Sequence, residues 1–186
     1  MKDRIYGKIV TLRPATLKDR HSVFEWLAHS DTTPQMLGLP DFPENPRPTL
    51  EEFTLDYSDQ YFIDSKPELG RCFIIEINGE PTGQVTYNKI WFEDGIVELD
   101  IWLAARRHTG KGYGPDALQT VCMFLYEEFG CNKFLIAPSR RNNYAIKAYQ
   151  KAGFLESDEI PFWFVPDYRD FIVLIKVLPH NWINKY

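Results

Sequence analysis

Hydrophobic and polar positions alternate with two different periods along this chain, and the period tells strand from helix. Ile9 to Arg13, Arg71 to Ile77, Gly83 to Trp91, Val97 to Leu103, Lys133 to Ala137 and the β-branched Phe171 to Val177 read as strands. Helical spacing appears after Thr16, which caps a helix to about Leu27, with Asp19 placed for a capping box. A second helix opens at Thr49, with Glu52 completing the box, and runs to about Phe62. Further helices are expected over Pro115 to Glu128 and Asn142 to Ala152, the last stopped by Gly153 as a C′ residue. Asn78-Gly79 marks a hairpin and Asp94-Gly95 a turn. Between Ser30 and Pro48 stand Pro34, Pro40, Pro43, Pro46 and Pro48, a density that excludes a regular helix or an inner strand.

In order, the elements are a strand, two helices, a meander of three strands, and helices alternating with strands. That order predicts an α/β sandwich on a mixed sheet. A chain of 186 residues fits one domain over 1–186, large enough for a substantial core. No apolar run approaches the roughly 20 residues that span a bilayer, and the first residues carry no signal-like stretch. Cys72, Cys122 and Cys131 have no metal-ligand spacing and leave one thiol over in any disulfide scheme. A reducing, cytoplasmic setting is therefore expected. His21, His29, His108 and His180 are scattered, so no metal is expected. The net charge of −5 argues against nonspecific nucleic-acid binding.

Chemistry concentrates at Arg107-His-Thr-Gly-Lys-Gly-Tyr-Gly114, between a strand and a helix. Glycines let the backbone approach a ligand, and the first N–H groups of a helix lack internal partners and carry partial positive charge. Arg107 and Lys111 add formal charge. The turn is thus either a pyrophosphate seat or a mobile glycine loop. It is not a P-loop, for Gly112 is followed by Tyr113 and Gly114, and Gly110-x-Gly112-x-Gly114 lacks dinucleotide-fingerprint spacing. Pro115 suits the first helical position, so the binding amides should lie between about His108 and Gly114.

Arg107-His-Thr-Gly110-Lys-Gly112 resembles the Arg/Gln-x-x-Gly-x-Gly/Ala loop of the GNAT superfamily of acetyl-CoA-dependent N-acetyltransferases. Asn142-Asn-Tyr-Ala145-Ile-Lys-Ala-Tyr149-Gln-Lys-Ala-Gly153-Phe154 resembles that family's Asn-x-x-Ala-x-x-x-Tyr-x-x-x-Gly-Phe helix. Glu80-Pro81-Thr-Gly83 and Leu12-Arg13-Pro14 resemble two further landmarks, so the likeness covers nearly the whole chain. The resemblance implies a mostly antiparallel central sheet flanked by helices and splayed at the acetyl-CoA site. It implies that the backbone of Ile101, Trp102 and Leu103 pairs with pantetheine, and that Arg107, Thr109, Gly110, Lys111, Gly112 and Gly114 hold the pyrophosphate. Asn142 would bond the pantetheine arm, cap its helix, or both, and Ala145 would line the same site. Tyr149 is either a buried helix aromatic or, as the resemblance implies, the acid for the CoA thiolate.

Acetylating an amine requires removing its proton, stabilising an oxyanion and protonating a thiolate. Alternation puts Glu98, Asp100 and Trp102 on one face of their strand, the carboxylates about 7 Å apart. They either pair with Arg, Lys or solvent, or they meet a cationic substrate. The strand aspartate of aminoglycoside 6′-N-acetyltransferases, the nearest likeness, aligns with Asp100 and makes it the leading base, with Glu98 second. From Ser30 to Gly70 nine acids oppose only Arg47 and Lys66, a local balance of −7 in a chain of −5. A second acidic group, Glu156, Asp158, Glu159, Asp167 and Asp170, flanks Phe162, Trp163, Phe164 and Tyr168. Acidic walls are either solvated surface or an attractor for a polycationic amine. The resemblance favours an aminoglycoside and so a role in antibiotic resistance. A ribosomal-protein or peptide N-terminal acetyltransferase and a non-catalytic CoA-binding module are the alternatives. Monomer and homodimer both remain open, as does the role of the Leu178 to Tyr186 tail. The Pro34 to Pro48 loop is either a lid or a rigid wall.

Overall fold

Eight strands form one sheet in the order β1-β2-β3-β4-β5-β6-β8-β7, every neighbouring pair antiparallel except β5 and β6. A computed structural model of the chain describes residues 3–38, 46–93 and 95–179. The strands are β1 (Ile5–Tyr6), β2 (Thr11–Pro14), β3 (Gly70–Ile77), β4 (Glu80–Asn88), β5 (Ile96–Leu103), β6 (Lys133–Ile136), β7 (Leu155–Glu156) and β8 (Leu174–Val177). The helices are α1 (Arg20–Ala28), α2 (Thr33–Leu37), α3 (Leu50–Asp56), α4 (Tyr113–Phe129) and α5 (Asn143–Lys151). The expected α/β architecture on a mixed, mostly antiparallel sheet is present.

Period-two burial explains the layers. Phe73 and Ile75 of β3, with Val97 and Leu99 of β5, pack with Leu118, Val121, Phe124 and Leu125 of α4 and with Tyr149 of α5. Their strand neighbours Cys72, Ile74 and Trp102 pack with Val23, Phe24 and Ala28 of α1 and Phe53 of α3. Both faces of the central strands are therefore covered, and β3 is buried along nearly its whole length.

Several boundaries differ from the sequence expectation, each for a local reason. The first strand was expected from Ile9, but β2 starts at Thr11. The Asp116 carboxylate accepts the N–H groups of Lys8, Ile9 and Val10 (3.1, 2.6 and 2.9 Å) and holds them in a turn. Helix α1 starts at Arg20 rather than just after Thr16. Only half a capping box forms there, with Asp19 accepting from the Thr16 N–H and hydroxyl. The proline-rich stretch, expected to hold no helix, contains the five-residue α2, with Pro34 in its first turn, where its missing N–H removes no helical bond. Pro40 and Pro43 lie outside the described residues, as do Asp94 and 180–186 of the C-terminal tail.

Helix α3 has its full capping box between Thr49 and Glu52 but ends at Asp56, not near Phe62. Tyr57 leaves helical geometry (φ −97°, ψ 66°), and a separate 3₁₀ turn follows over Asp59–Phe62. At the hairpin, Asn78 and Gly79 both take positive φ (52° and 84°), as the tight turn requires. Strand β4 starts at Glu80 and stops at Asn88, leaving Trp91 only an isolated bridge to Ile96. Likewise Phe171 makes a lone bridge to Ser139, and the last strand starts at Leu174. Helix α5 closes as expected at Gly153 (φ 93°), whose N–H donates to Gln150 C=O while Phe154 N–H donates to Tyr149 C=O (both 3.0 Å).

Candidate active site

The site follows from one break in the sheet. Strands β5 and β6 pair only through Ile96–Lys133, Val97–Phe134 and Glu98–Leu135. Beyond Glu98, β5 continues to Leu103 against β4 alone. Gly83 makes that closeness possible, since a Cβ there would lie 2.5 Å from the Trp102 carbonyl oxygen. Ala104 N–H donates to Thr82 C=O (2.8 Å), which sets the phase of the ladder. Trp102 then points its peptide groups at β4, and Ile101 and Leu103 point theirs at the edge that β6 has left. The Leu103 carbonyl is met there by the Thr32 hydroxyl (3.3 Å).

A cleft of about 270 Å³ opens at this edge. Its lining includes Ile101, Trp102, Leu103, Thr109, Gly110, Gly112, Gly114, Asn142, Ala145 and Tyr149, so residues far apart in sequence meet in one place. Arg107 and Lys111 stay exposed outside the lining. The two cations still act at the mouth. After burial, they are the next causes that lower the pKa of His108, with Asp31 opposing.

The glycine turn is more structured than a mobile loop. A 3₁₀ turn over Arg106–His108 commits two of its amides, with His108 N–H on Ala105 C=O (3.0 Å) and Thr109 N–H on Arg106 C=O (2.9 Å). Asp31 accepts the Arg106 N–H at 2.6 Å. The amides that remain for an anion therefore run from Gly110 to Gly114, a shorter span than the expected start at His108. Gly110 and Gly112 have positive φ (73° and 86°), and Gly112 is the N-cap of α4. Pro115 is the third residue of α4 rather than the first, still within the first turn. These amides and the helix dipole suit a pyrophosphate.

Asn142 is the N-cap of α5, its Oδ1 accepting from Ala145 N–H at 3.1 Å. That leaves its Nδ2 donors without a protein partner among the described residues, so capping and ligand binding are compatible. One face of α5 carries Tyr149 inward, 8% exposed. Burial first, then the charges of Asp100 and Tyr168, raise its pKa, so the phenol is a protonated group at neutral pH.

A second cavity, about 540 Å³, abuts the first, and Ile101, Trp102, Asn142, Tyr149 and Met36 line both. Among the described residues four carboxylates line it, Asp56, Glu98, Asp100 and Asp167, and no Lys or Arg does. Asp100 accepts from Tyr57 Oη and from Ile101 N–H, both at 2.8 Å. Burial raises its pKa, with these two bonds opposing. Tyr57 is held by stacking on Phe53 (interplanar angle 5°, centroids 4.9 Å) and by an edge contact to Trp102 (5.4 Å). Glu98 accepts from Asn88 Nδ2 (2.8 Å), whose Oδ1 accepts from Tyr61 Oη (2.9 Å). Burial pushes Glu98 up to about 7, against the Asn88 bond and with help from Asp167 and Asp100. Burial, Asp100 and Asp56 push Asp167 up to about 6. Carboxylates held this way are short of positive charge, and a cationic ligand would supply it.

The acidic wall resolves into two populations. From the first helices only Asp56 lines the cavity; Asp31 binds the Arg106 amide and Asp59 pairs with Arg20. Asp41 and Glu44 lie outside the described residues. From the later group Asp167 lines the cavity, while Asp170 pairs with Arg141 and Glu159 with Lys133. Tyr57, Tyr61 and Asn88 were not singled out in the sequence. The four-residue spacing of Tyr57 and Tyr61 beside Asp56 was the available signal; Asn88, at the end of a strand, offered none. Among the described residues no group of three or more His, Cys, Asp or Glu could hold a metal ion. No helix among them is long and apolar enough to cross a membrane.

Comparison with known proteins agrees with this geometry. The profile of the acetyltransferase (GNAT) domain matches residues 10–155. The aminoglycoside N(6′)-acetyltransferase type 1 of Klebsiella pneumoniae is 30% identical over 155 residues, covering 78% of this chain and 73% of that protein. Over a shorter stretch, 38% of this chain and 46% of the other, the spermine/spermidine N(1)-acetyltransferase of Bacillus subtilis is 31% identical. The solved structure of AAC(6′)-Ib with ribostamycin and coenzyme A superimposes with a TM-score of 0.69 at 26% identity, over 91% of this chain and 94% of that one. RimL, a ribosomal L7/L12 alpha-N-protein acetyltransferase, in complex with coenzyme A, superimposes at 0.71 with 14% identity over 94% and 98%, a likeness of fold alone.

Proposed function

The chain belongs to the GNAT acetyltransferase family and is an acetyl-CoA-dependent N-acetyltransferase; on that premise we propose that its acceptor is a small polycationic amine of the aminoglycoside kind. The observation that carries this reading is the cavity beside the donor cleft, lined among the described residues by Asp56, Glu98, Asp100 and Asp167 and by no Lys or Arg. A single ammonium needs one carboxylate. Four around one cavity match a ligand bearing several.

The donor cleft fits acetyl-CoA through this chain's own groups. The amides of Gly110 to Gly114 at the α4 N-terminus would hold the pyrophosphate, with Arg107 and Lys111 at the mouth. The open edge of β5, chiefly Ile101 and Leu103, would pair with pantetheine as an added strand, and Asn142 Nδ2 would donate to it. The bound thioester supplies an activated acetyl carbon.

Asp100 lines the acceptor cavity next to Ile101, which lines both cavities, and would take the proton from the bound ammonium, exposing the lone pair that attacks the thioester. As the new C–N bond forms and the C–S bond breaks, Tyr149 would protonate the departing sulfur and regain a proton from the attacking nitrogen, which becomes the neutral amide. Its hydroxyl, without a hydrogen-bond partner among the described residues, its raised pKa and its position in both cavities suit that role. Tyr57 holds Asp100 in place, and Asn88 with Tyr61 holds Glu98.

The test is an acceptor screen that follows free CoA thiol with kanamycin-like aminoglycosides, spermidine and N-terminal peptides. Aminoglycosides are expected to turn over fastest, with acceptor KM rising between 50 and about 300 mM salt as the carboxylates are screened. Turnover confined to peptides, or a KM indifferent to salt, would sink the polycation reading.

A further inference from the structure

Residues 157–173 join β7 to β8 without a helix or strand of their own, yet they carry Val165, Asp167 and Tyr168 into the acceptor cavity. An irregular segment can hold such groups only if something else fixes it. One end is fixed by Trp163, which stacks on Trp91 at 5.5 Å and 8°. The other end is fixed at Asp170. Its carboxylate accepts from the Ser139 hydroxyl (2.9 Å) and from Arg141 Nε and Nη2 (2.8 and 3.2 Å), while its carbonyl accepts the Arg140 N–H (2.9 Å). Ser139 is 3% exposed, and its own carbonyl accepts the Asn142 N–H (3.0 Å).

The Ser139–Arg141 turn leads straight into Asn142, the N-cap of the helix that carries Tyr149. Asp170 therefore ties the acceptor wall to the donor wall through three contiguous residues. Two residues before it, Tyr168 sits within electrostatic reach of Asp100, Asp167, Arg141 and Asp170 together.

We infer that Asp170 is a positioning residue for the acceptor: by clamping Ser139 and Arg141 it sets Asp167 and Tyr168 in register with Asn142 and Tyr149. It touches neither substrate and acts through the segment that does. The inference rests on the proposed acceptor cavity.

Two measurements test it. With kanamycin as acceptor, Asp170→Asn is expected to raise acceptor KM about tenfold, the scale of one lost charge-assisted hydrogen bond, with acetyl-CoA KM within about twofold. Asp170→Glu should restore most of the loss. In an Asp167→Asn background the same substitution should have less than about a twofold effect, because the group it positions is gone. Equal rises in both KM values, or a full effect without Asp167, would assign Asp170 to general stability and overturn the inference. The second measurement is hydrogen exchange, which needs no acceptor. Asp170→Asn should speed exchange across 157–171 and leave β5 and β6 protected. Unchanged exchange in that segment overturns the inference whichever amine the enzyme uses. Should Asp170→Asn not fold, Ser139→Ala removes one of the bonds to the Asp170 carboxylate, together with the two that Arg141 donates to the Ser139 hydroxyl, and is expected to give the same split at about two- to threefold. If no aminoglycoside turns over while exchange behaves as expected, the acceptor reading fails and the clamp stands.

Discussion

The donor cleft and the acceptor cavity share Ile101, Trp102, Asn142 and Tyr149, but they are made differently. The cleft is built mainly from backbone: free amides at a helix start, an exposed strand edge, and glycines that leave room for both. Its polar groups point at fixed places whichever side chains surround them. The acceptor cavity is built from side chains of α3, β4, β5 and the segment before β8, each oriented by a separate partner. The difference teaches that one binding surface depends on chain geometry, whereas the other depends on charge held under strain of burial.

The sharpest way to break this contrast is at Asp100. Asp100→Asn is expected to lower turnover by about 10³-fold, within the range for a positioned proton acceptor, with acetyl-CoA affinity by calorimetry within twofold. A comparable loss of donor affinity would show that the two surfaces are one. Tyr149→Phe comes next, on the boundary. Turnover should fall by about 10²-fold with both KM values little changed, and solvent-isotope effects should report the missing proton. Full activity would hand that proton to water.

Gly112→Ala probes the donor side alone. The φ of 86° is strained for alanine, and the new Cβ would sit 3.4 Å from Ile9 Cδ1. A left-handed alanine costs roughly 1–2 kcal/mol, so acetyl-CoA should bind about tenfold more weakly while acceptor KM holds. A matching shift in acceptor KM would contradict the separation.

The smallest expected effect concerns stability. Glu98 has a folded pKa of about 7, above its ordinary 4.5. The native state thus keeps a proton that the unfolded chain releases across that window, and stability falls as pH rises from about 4.5 to 7. Glu98→Gln should therefore be more stable than the parent at pH 8, by on the order of 1–2 kcal/mol, and no more stable at pH 4. The same ionisation should make the parent's acceptor kcat/KM climb between pH 6 and 7.5. Denaturant titrations at the two pH values check the first, and a pH–rate profile the second. Equal stability gains at both pH values would mean that Glu98 does not carry the strained charge.

The Arg107–Gly114 turn and the Asn142–Phe154 helix were legible because each is a local run whose residue types fix its own geometry. Glycines at positive φ, an N-cap asparagine and a Gly-Phe helix stop act on neighbours a few positions away. Glu98 and Asp100 were legible as a pair because strand alternation puts them on one face. Tyr57 was not, since its role depends on α3 ending at Asp56 so that its ring can turn over Phe53 toward Asp100. Asn88 and Tyr61 reach Glu98 from two other elements. The acidic wall was legible as composition but not as direction, and most of its members pair or face solvent.

By itself the sequence determined the order of the longer strands and helices, the mixed sheet and the glycine-rich turn, all set by short-range periodicity and backbone conformation. Only the tertiary structure decided where β5 and β6 part, which carboxylates share a cavity, and which are spent on ion pairs. Those choices depend on contacts between residues many tens of positions apart, where burial and charge, not local propensity, set the outcome.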